Sequence, residues 1–225
     1  MNSREIAVVS DYDRTLACES DGFRIRESLK DVINEFSRRH VFIVASGREE
    51  RIIRQLAPGL KPTAWVLENG AKLVFQDTVI LIRDEGWIEA REIIAKKLED
   101  KGIRHSFGDV IIYVDGMSPK VNEILELVKG LGHVERNRQD LMILPKGVSK
   151  AKGVLRALEI LNFKGKLYAL GDSENDLSLF QIADVRVAVA NAIEELKAQA
   201  DIVLKKPNGE GVEDFLKDLM RATQP

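Results

Sequence analysis

The 225-residue chain has a single cysteine, Cys18, so no intrachain disulfide can form, and no CxxC pair or Cys/His cluster points to zinc or thiol redox chemistry. Its three histidines, His40, His105 and His133, are scattered without the spacing of metal ligands, which predicts packing or surface roles. No stretch approaches about 18 uninterrupted apolar residues, and the opening MNSREIAVVSDYD meets charge too early for a secretory leader. The expectation is a cytoplasmic protein with no membrane partner. Charge of one sign is lacking too. The 34 basic and 36 acidic residues leave a net charge of -2, so no global field favours nucleic acid or an anionic surface. Aromatics make up only 6%, and Trp65 and Trp87 are expected in core or hinge packing. Repeats and low-complexity tracts are absent. No stripe is apolar enough to demand a partner chain, so monomer and homodimer both remain open.

What is present is an apolar content of 44%, enough for one large domain or two modest ones. Ile6-Ala-Val-Val-Ser10, Val41-Phe-Ile-Val-Ala45 and Leu167-Tyr-Ala-Leu170 are short, rich in strand formers and non-alternating, the pattern of strands buried on both faces. Between the first two, Leu29, Val32, Ile33 and Phe36 mark one face of a helix over Arg24–Arg39, so the chain opens strand, helix, strand. A short helix at Glu49–Leu56 and a strand at Trp65–Leu67 follow. Asn69-Gly70 then signals a turn, and Leu73–Phe75 with Val79–Ile82 reads as antiparallel ribbon.

Trp87–Lys101 is helical and Val110–Val114 is a strand. Ser118-Pro119 caps a helix over Lys120–Lys129, with Val121, Ile124, Leu125 and Val128 as its stripe, and His133–Glu135 and Leu141–Leu144 are further strands. From Ser149 the parallel rhythm resumes. The expected architecture is α/β: a doubly wound, Rossmann-like parallel-sheet core from residues 1–71 and 146–225, with an inserted α+β domain at 72–145.

Ligands bind beyond the carboxyl ends of parallel strands. Those ends carry Asp11 and Asp13, then Ser46-Gly47-Arg48, then Gly171-Asp172-Ser-Glu-Asn175-Asp176. Crowded carboxylates raise one another's cost of ionising unless a cation relieves them. Asp11, Asp13, Asp172 and Asp176, with no histidine or cysteine nearby, point to a hard ion, and magnesium is the one to expect. Such an ion invites an anionic substrate. The Ser46 hydroxyl, the amides after it from Gly47 on, and Lys150 at a helix start could hold a phosphate, which makes phosphoryl transfer the chemistry to expect. Any one of these pieces also has an ordinary reading as a solvated turn, a strand-to-helix loop or a helix cap; their recurrence at successive strand ends favours function.

DYDRT, SGR, the lysine of GVSKAKG and GDSEND stand in the order and on the elements of the four motifs of the haloacid dehalogenase superfamily, which the chain resembles over essentially its whole length. The insert resembles the type IIB cap, and in size and cap length the chain resembles archaeal phosphoglycolate phosphatases and Cof-type sugar phosphatases. The resemblance implies Asp11 as nucleophile and Asp13 as general acid and base. It implies Ser46, Gly47, Lys150 and Asn175 around the phosphoryl group. It also implies magnesium on Asp11, the Asp13 carbonyl and Asp172, with Asp176 a direct or water-mediated ligand. Lys152 is a nearby alternative to Lys150, and position relative to the helix start favours Lys150.

Most relatives have glycine where this chain has Arg14. The expectation is an arginine in solvent, with contact to a substrate carboxylate or second phosphate as the alternative. Lys206–Gly211 is read either as a mouth-lining loop or as a plain connection. The expected activity is hydrolysis of a small phosphorylated metabolite, phosphoglycolate or a sugar phosphate. A phosphomutase using the same nucleophile and a phospho-accepting signalling module are the alternatives.

Overall fold

The computed structural model describes residues 5–76, 78–117, 120–137 and 139–223. Its first elements are β1 (Ile6–Asp11), α1 (Glu27–Arg39), β2 (Val41–Ala45), α2 (Glu50–Leu56), β3 (Ala64–Leu67), β4 (Lys72–Val74) and β5 (Val79–Leu81). Then come α3 (Trp87–Asp100), β6 (Ser106–Phe107), β7 (Ile112–Val114), α4 (Val121–Val128), β8 (His133–Asn137) and β9 (Asp140–Leu144). The chain closes with α5 (Lys150–Ile160), β10 (Lys166–Gly171), α6 (Leu177–Ile182), β11 (Val185–Ala188), α7 (Glu194–Gln199), β12 (Ile202–Val203) and α8 (Asn208–Ala222).

An eight-stranded sheet runs β12-β11-β10-β1-β2-β3-β4-β5, parallel from β12 to β3 and antiparallel beyond. All six residues of the central β1 are buried, as a strand covered on both faces requires. On α1 the 3.6-residue period brings Leu29, Ile33 and Phe36 to the inner side, where the helix packs on β2 and α8. Each such side chain contributes about 1.5–3 kcal/mol by leaving water. The second sheet, β6-β7-β9-β8, is wholly antiparallel. It has its own core, in which Trp87 is buried and donates its indole N–H to the Val110 carbonyl at 2.7 Å. On α4 the burial falls on Ile124 and Val128, while Leu125 is 44% exposed.

The hairpin counted with the insert by a boundary at Lys72 pairs instead with the larger sheet: Trp65, Val66 and Leu67 face Val74, Leu73 and Lys72. The reason is local. Glu68, Asn69 and Gly70 are all left-handed, with φ of 51°, 51° and 95°, and this run turns the chain back directly beside β3. The predicted strand Val110–Val114 begins only at Ile112, because the amides of residues 109–111 are bonded to Glu68. The Ser118-Pro119 cap lies outside the described residues. No helix among the described residues is long and apolar enough to cross a membrane.

Candidate active site

Parallel register sets the site. Asp11 ends β1 opposite Ala45 of β2, and Ser10 lies opposite Leu170 of β10. The loops Asp11–Asp13, Ser46–Arg48 and Asp172–Asp176 therefore leave the sheet at one edge. The start of α5 reaches the same place. Ser149 caps the helix, its hydroxyl accepting from the Lys152 amide, and Lys150 follows as the first helical residue. Its side chain is 2% exposed, and the ammonium donates to Asp11 Oδ1 at 2.8 Å and to Asp176 Oδ1 at 3.0 Å. The second carboxylate oxygen of Asp176 accepts the amides of Asp172 (3.0 Å) and Ser173 (3.2 Å), so this side chain braces the loop while it faces Lys150.

One oxygen from each of Asp11, Asp172 and Asp176 lies within 4.8 Å of the others, and all three residues are buried. Burial and the neighbouring Asp176 push the Asp11 carboxyl well above its ordinary range, against the pull of Lys150. Burial and Asp176 likewise raise Asp172 to about 6, with Arg14 and Lys150 opposing. Burial works against the charge on Lys150, but Asp11 and Asp176 outweigh it and hold the ammonium above the usual lysine range. Oxygen-only donors, buried and mutually repelling, fit a hard divalent cation.

The Asp13 carboxylate stands outside this trio. Arg48 grips it through Nε (2.9 Å to each oxygen) and Nη2 (2.6 Å), with the guanidinium stacked over Phe23. Ser46 is fully buried; its amide donates to the Val66 carbonyl and its hydroxyl accepts from the Arg48 amide at 3.2 Å. The Asn175 side-chain oxygen accepts from the Ser173 hydroxyl at 2.8 Å, on the loop that carries Asp172. Above Gly47 sits the second sheet: Tyr113 donates its hydroxyl to the Gly47 carbonyl at 2.8 Å, and its cross-strand neighbour Met142 bonds Asn69 through sulfur at 3.0 Å. A Cβ at position 47 would come within 2.7 Å of the Met142 methyl, so glycine lets the two units close here.

The structure thus gathers Asp11, Lys150, Asp172 and Asp176 into one cluster, and sets Asp13, Ser46, Gly47 and Asn175 on the loops around it. Arg14 is a correction. Its side chain is 16% exposed, not in solvent, and its Nε lies 3.3 Å from Asp172 Oδ2, drawn in by the acidic cluster. Of Lys206–Gly211, only the first two residues connect; from Asn208 on the segment is the first turn of α8, and it backs this region: the Asn208 amide donates to Asn191, whose side-chain amide donates to the Arg14 carbonyl. Four further roles are not signalled by any motif as such: those of Arg48, Glu68, Tyr113 and Lys72, whose ammonium pairs with Glu50 and Asp109. Arg48 was visible as the last letter of SGR, whereas nothing in the sequence distinguishes Glu68, which is buried and accepts three backbone amides, from an exposed glutamate.

A haloacid dehalogenase-like hydrolase family model matches residues 111–216. The chain is 48% identical over 221 residues to phosphoglycolate phosphatase 2 of Saccharolobus solfataricus, covering 98% of this chain and 94% of that protein. It is 45% identical over 216 residues to the phosphoglycolate phosphatase of Sulfurisphaera tokodaii, covering 95% and 93%. The fold is shared with the haloacid dehalogenase subclass IIB sugar phosphatase BT4131, with a TM-score of 0.74 at 20% identity over 95% of this chain and 98% of that one.

Proposed function

Because the chain belongs to the haloacid dehalogenase-like hydrolases, we propose that it is a magnesium-dependent phosphatase that cleaves a small phosphorylated metabolite through an aspartyl-phosphate. The observation that carries this reading is the buried bridge of Lys150 between Asp11 and Asp176, with Asp172 beside it. Phosphoglycolate is the first substrate to try, since two relatives above 40% identity bear that name; a sugar phosphate is the next.

In this reading an Asp11 oxygen attacks phosphorus and the ester P–O bond breaks. Asp13 enters protonated and gives that proton to the leaving oxygen; as the carboxylate it then takes one from the water that attacks the aspartyl-phosphate, which frees Asp11 and inorganic phosphate and restores the acid. Arg48 aims the Asp13 carboxylate. Lys150 neutralises Asp11 and, with Ser46, the Gly47 amide and Asn175, holds the phosphoryl oxygens. Asp11, the Asp13 carbonyl, Asp172 and Asp176 would hold magnesium, which when bound screens phosphate from the carboxylates and polarises its oxygens. The unit around the second sheet serves as a cap that keeps bulk water out, Tyr113 and Met142 forming its underside.

The test is phosphate release from a panel that includes phosphoglycolate and hexose phosphates, in magnesium and in EDTA, by wild type and Asp11→Asn. Turnover of a small ester that needs magnesium and disappears in Asp11→Asn is the expected result. Activity that requires a sugar bisphosphate and returns the phosphoryl group to sugar would replace the phosphatase by a mutase.

A further inference from the structure

Arg14 occupies a position where its backbone is poorly suited to any side chain. Its φ is 61°, the left-handed region that disfavours residues with a Cβ, and the conformation is fixed from both sides. The Arg14 amide donates to the Ala17 carbonyl at 2.7 Å, and the Arg14 carbonyl accepts from Asn191 at 2.9 Å. What this unfavourable backbone achieves is delivery of a guanidinium to Asp172 Oδ2, at 3.3 Å, while Thr15 and Ser173 reach Oδ1 of the same carboxylate at 3.4 and 3.3 Å. Farther out, Arg14 Nη1 lies 3.6 Å from Glu19, whose side chain is 65% exposed.

We propose that Arg14 is a built-in counter-cation that occupies Asp172 when no metal is bound and thereby weakens and tunes the affinity of the site for divalent ions. This rests on the metal reading of Asp11, Asp172 and Asp176. Those three carboxylates face two cationic side chains, Lys150 and Arg14. Lys150 is bonded to Asp11 and Asp176 and is fully enclosed, so it is the permanent partner. Arg14 is the exchangeable one: it contacts a single oxygen of the trio, keeps an edge in solvent, and has an exposed carboxylate, Glu19, to turn to. An ion that binds Asp172 through Oδ2 must displace the guanidinium, and the work of doing so lowers its affinity. Arg14 is a positioning residue in this scheme, because it acts through Asp172.

Two readouts other than turnover test this. The first is the dissociation constant for Mg2+ by titration calorimetry on wild type, Asp172→Asn, Arg14→Gly and Arg14→Gln. Binding should weaken in Asp172→Asn and tighten about ten- to a hundredfold in both Arg14 variants, the worth of one charge-assisted hydrogen bond. Glycine also relieves the backbone and glutamine does not, so agreement between them assigns the gain to the lost charge. The second is thermal unfolding: without metal Arg14→Gln should melt below wild type, and it should gain more from Mg2+ than wild type does. Mg2+ affinity lost in Asp172→Asn but unchanged or weaker in both Arg14 variants would overturn the role of Arg14 alone. No Mg2+ binding by any of the four proteins would overturn the metal reading and this inference together.

Discussion

At the scale of single residues, the metal proposed for the buried carboxylates would have to compete with a proton. Asp172, raised from 3.8 to about 6 by burial and by Asp176, holds its proton more tightly folded than unfolded. The folded state therefore binds more protons between those two values, and the contribution of Asp172 to stability grows as pH falls through about 6. In EDTA the melting temperature should show that gain, while the stabilisation added by Mg2+ should shrink below about pH 6, because the ion must displace a proton. Unfolding scans with and without Mg2+ from about pH 5 to 8 check both. A Mg2+ increment that is constant across that range would contradict the assignment.

Lys150→Met leaves Asp11 and Asp176 buried without their cation and should cost about 3–5 kcal/mol in metal-free denaturant titrations, part of it recovered on adding Mg2+. These residues were legible from type and order, since acids at successive strand ends together with a lysine at a helix start favour function jointly even though each alone has an ordinary reading. Arg14 was not, because arginines are exposed as a rule and its contact lies 158 positions away along the chain.

At the scale of elements, the placement of α5 decides where Lys150 points. The helix start presses on the turn after β3 so closely that a Cβ at Gly70 would fall 2.1 Å from the Ser149 carbonyl oxygen, and one at Gly153 would fall 2.5 Å from the Gly70 Cα. Gly153 sits inside the helix, so alanine there meets a steric conflict and no backbone one. Gly153→Ala should destabilise by about 1–3 kcal/mol and lower phosphate release by shifting Lys150 away from Asp11, whereas Ser149→Ala, which removes the cap, should cost about 1 kcal/mol. Equal activity in wild type and a folded Gly153→Ala would show that the helix adjusts without moving Lys150. Val154, Ala157 and Leu158 are buried on one face of α5 at the i, i+3, i+4 spacing that marks a helix in sequence. The two-residue strands β6 and β12 have no such mark, since so short a pairing carries no period to detect.

At the scale of the whole molecule, the two sheets are joined by a buried seam. Glu68, fully buried, accepts the amides of Asp109, Val110 and Ile111 at 2.8–3.0 Å, and Lys72 links Glu50 on α2 to Asp109. Glu68→Gln turns an amide group toward those N–H donors and should cost about 1–3 kcal/mol, with faster hydrogen exchange at residues 109–111 as its local signature. Tyr113→Phe removes the bond to Gly47 at the other contact; it should raise KM with little change in melting temperature, and an unchanged KM would mean that this contact does not hold the mouth closed.

By itself the sequence determined that the fold is α/β, which strands are central, and which loops carry the acids, the serine and the lysine, because apolar period and residue type are local properties of the chain. Only the tertiary structure decided that the β4–β5 hairpin extends the larger sheet, that Glu68 is a seam rather than a surface acid, and that Arg14 and Arg48 each grip an aspartate. Those outcomes depend on hydrogen bonds and charges brought together from distant parts of the chain, where burial, which no single stretch encodes, sets the strength of each contact.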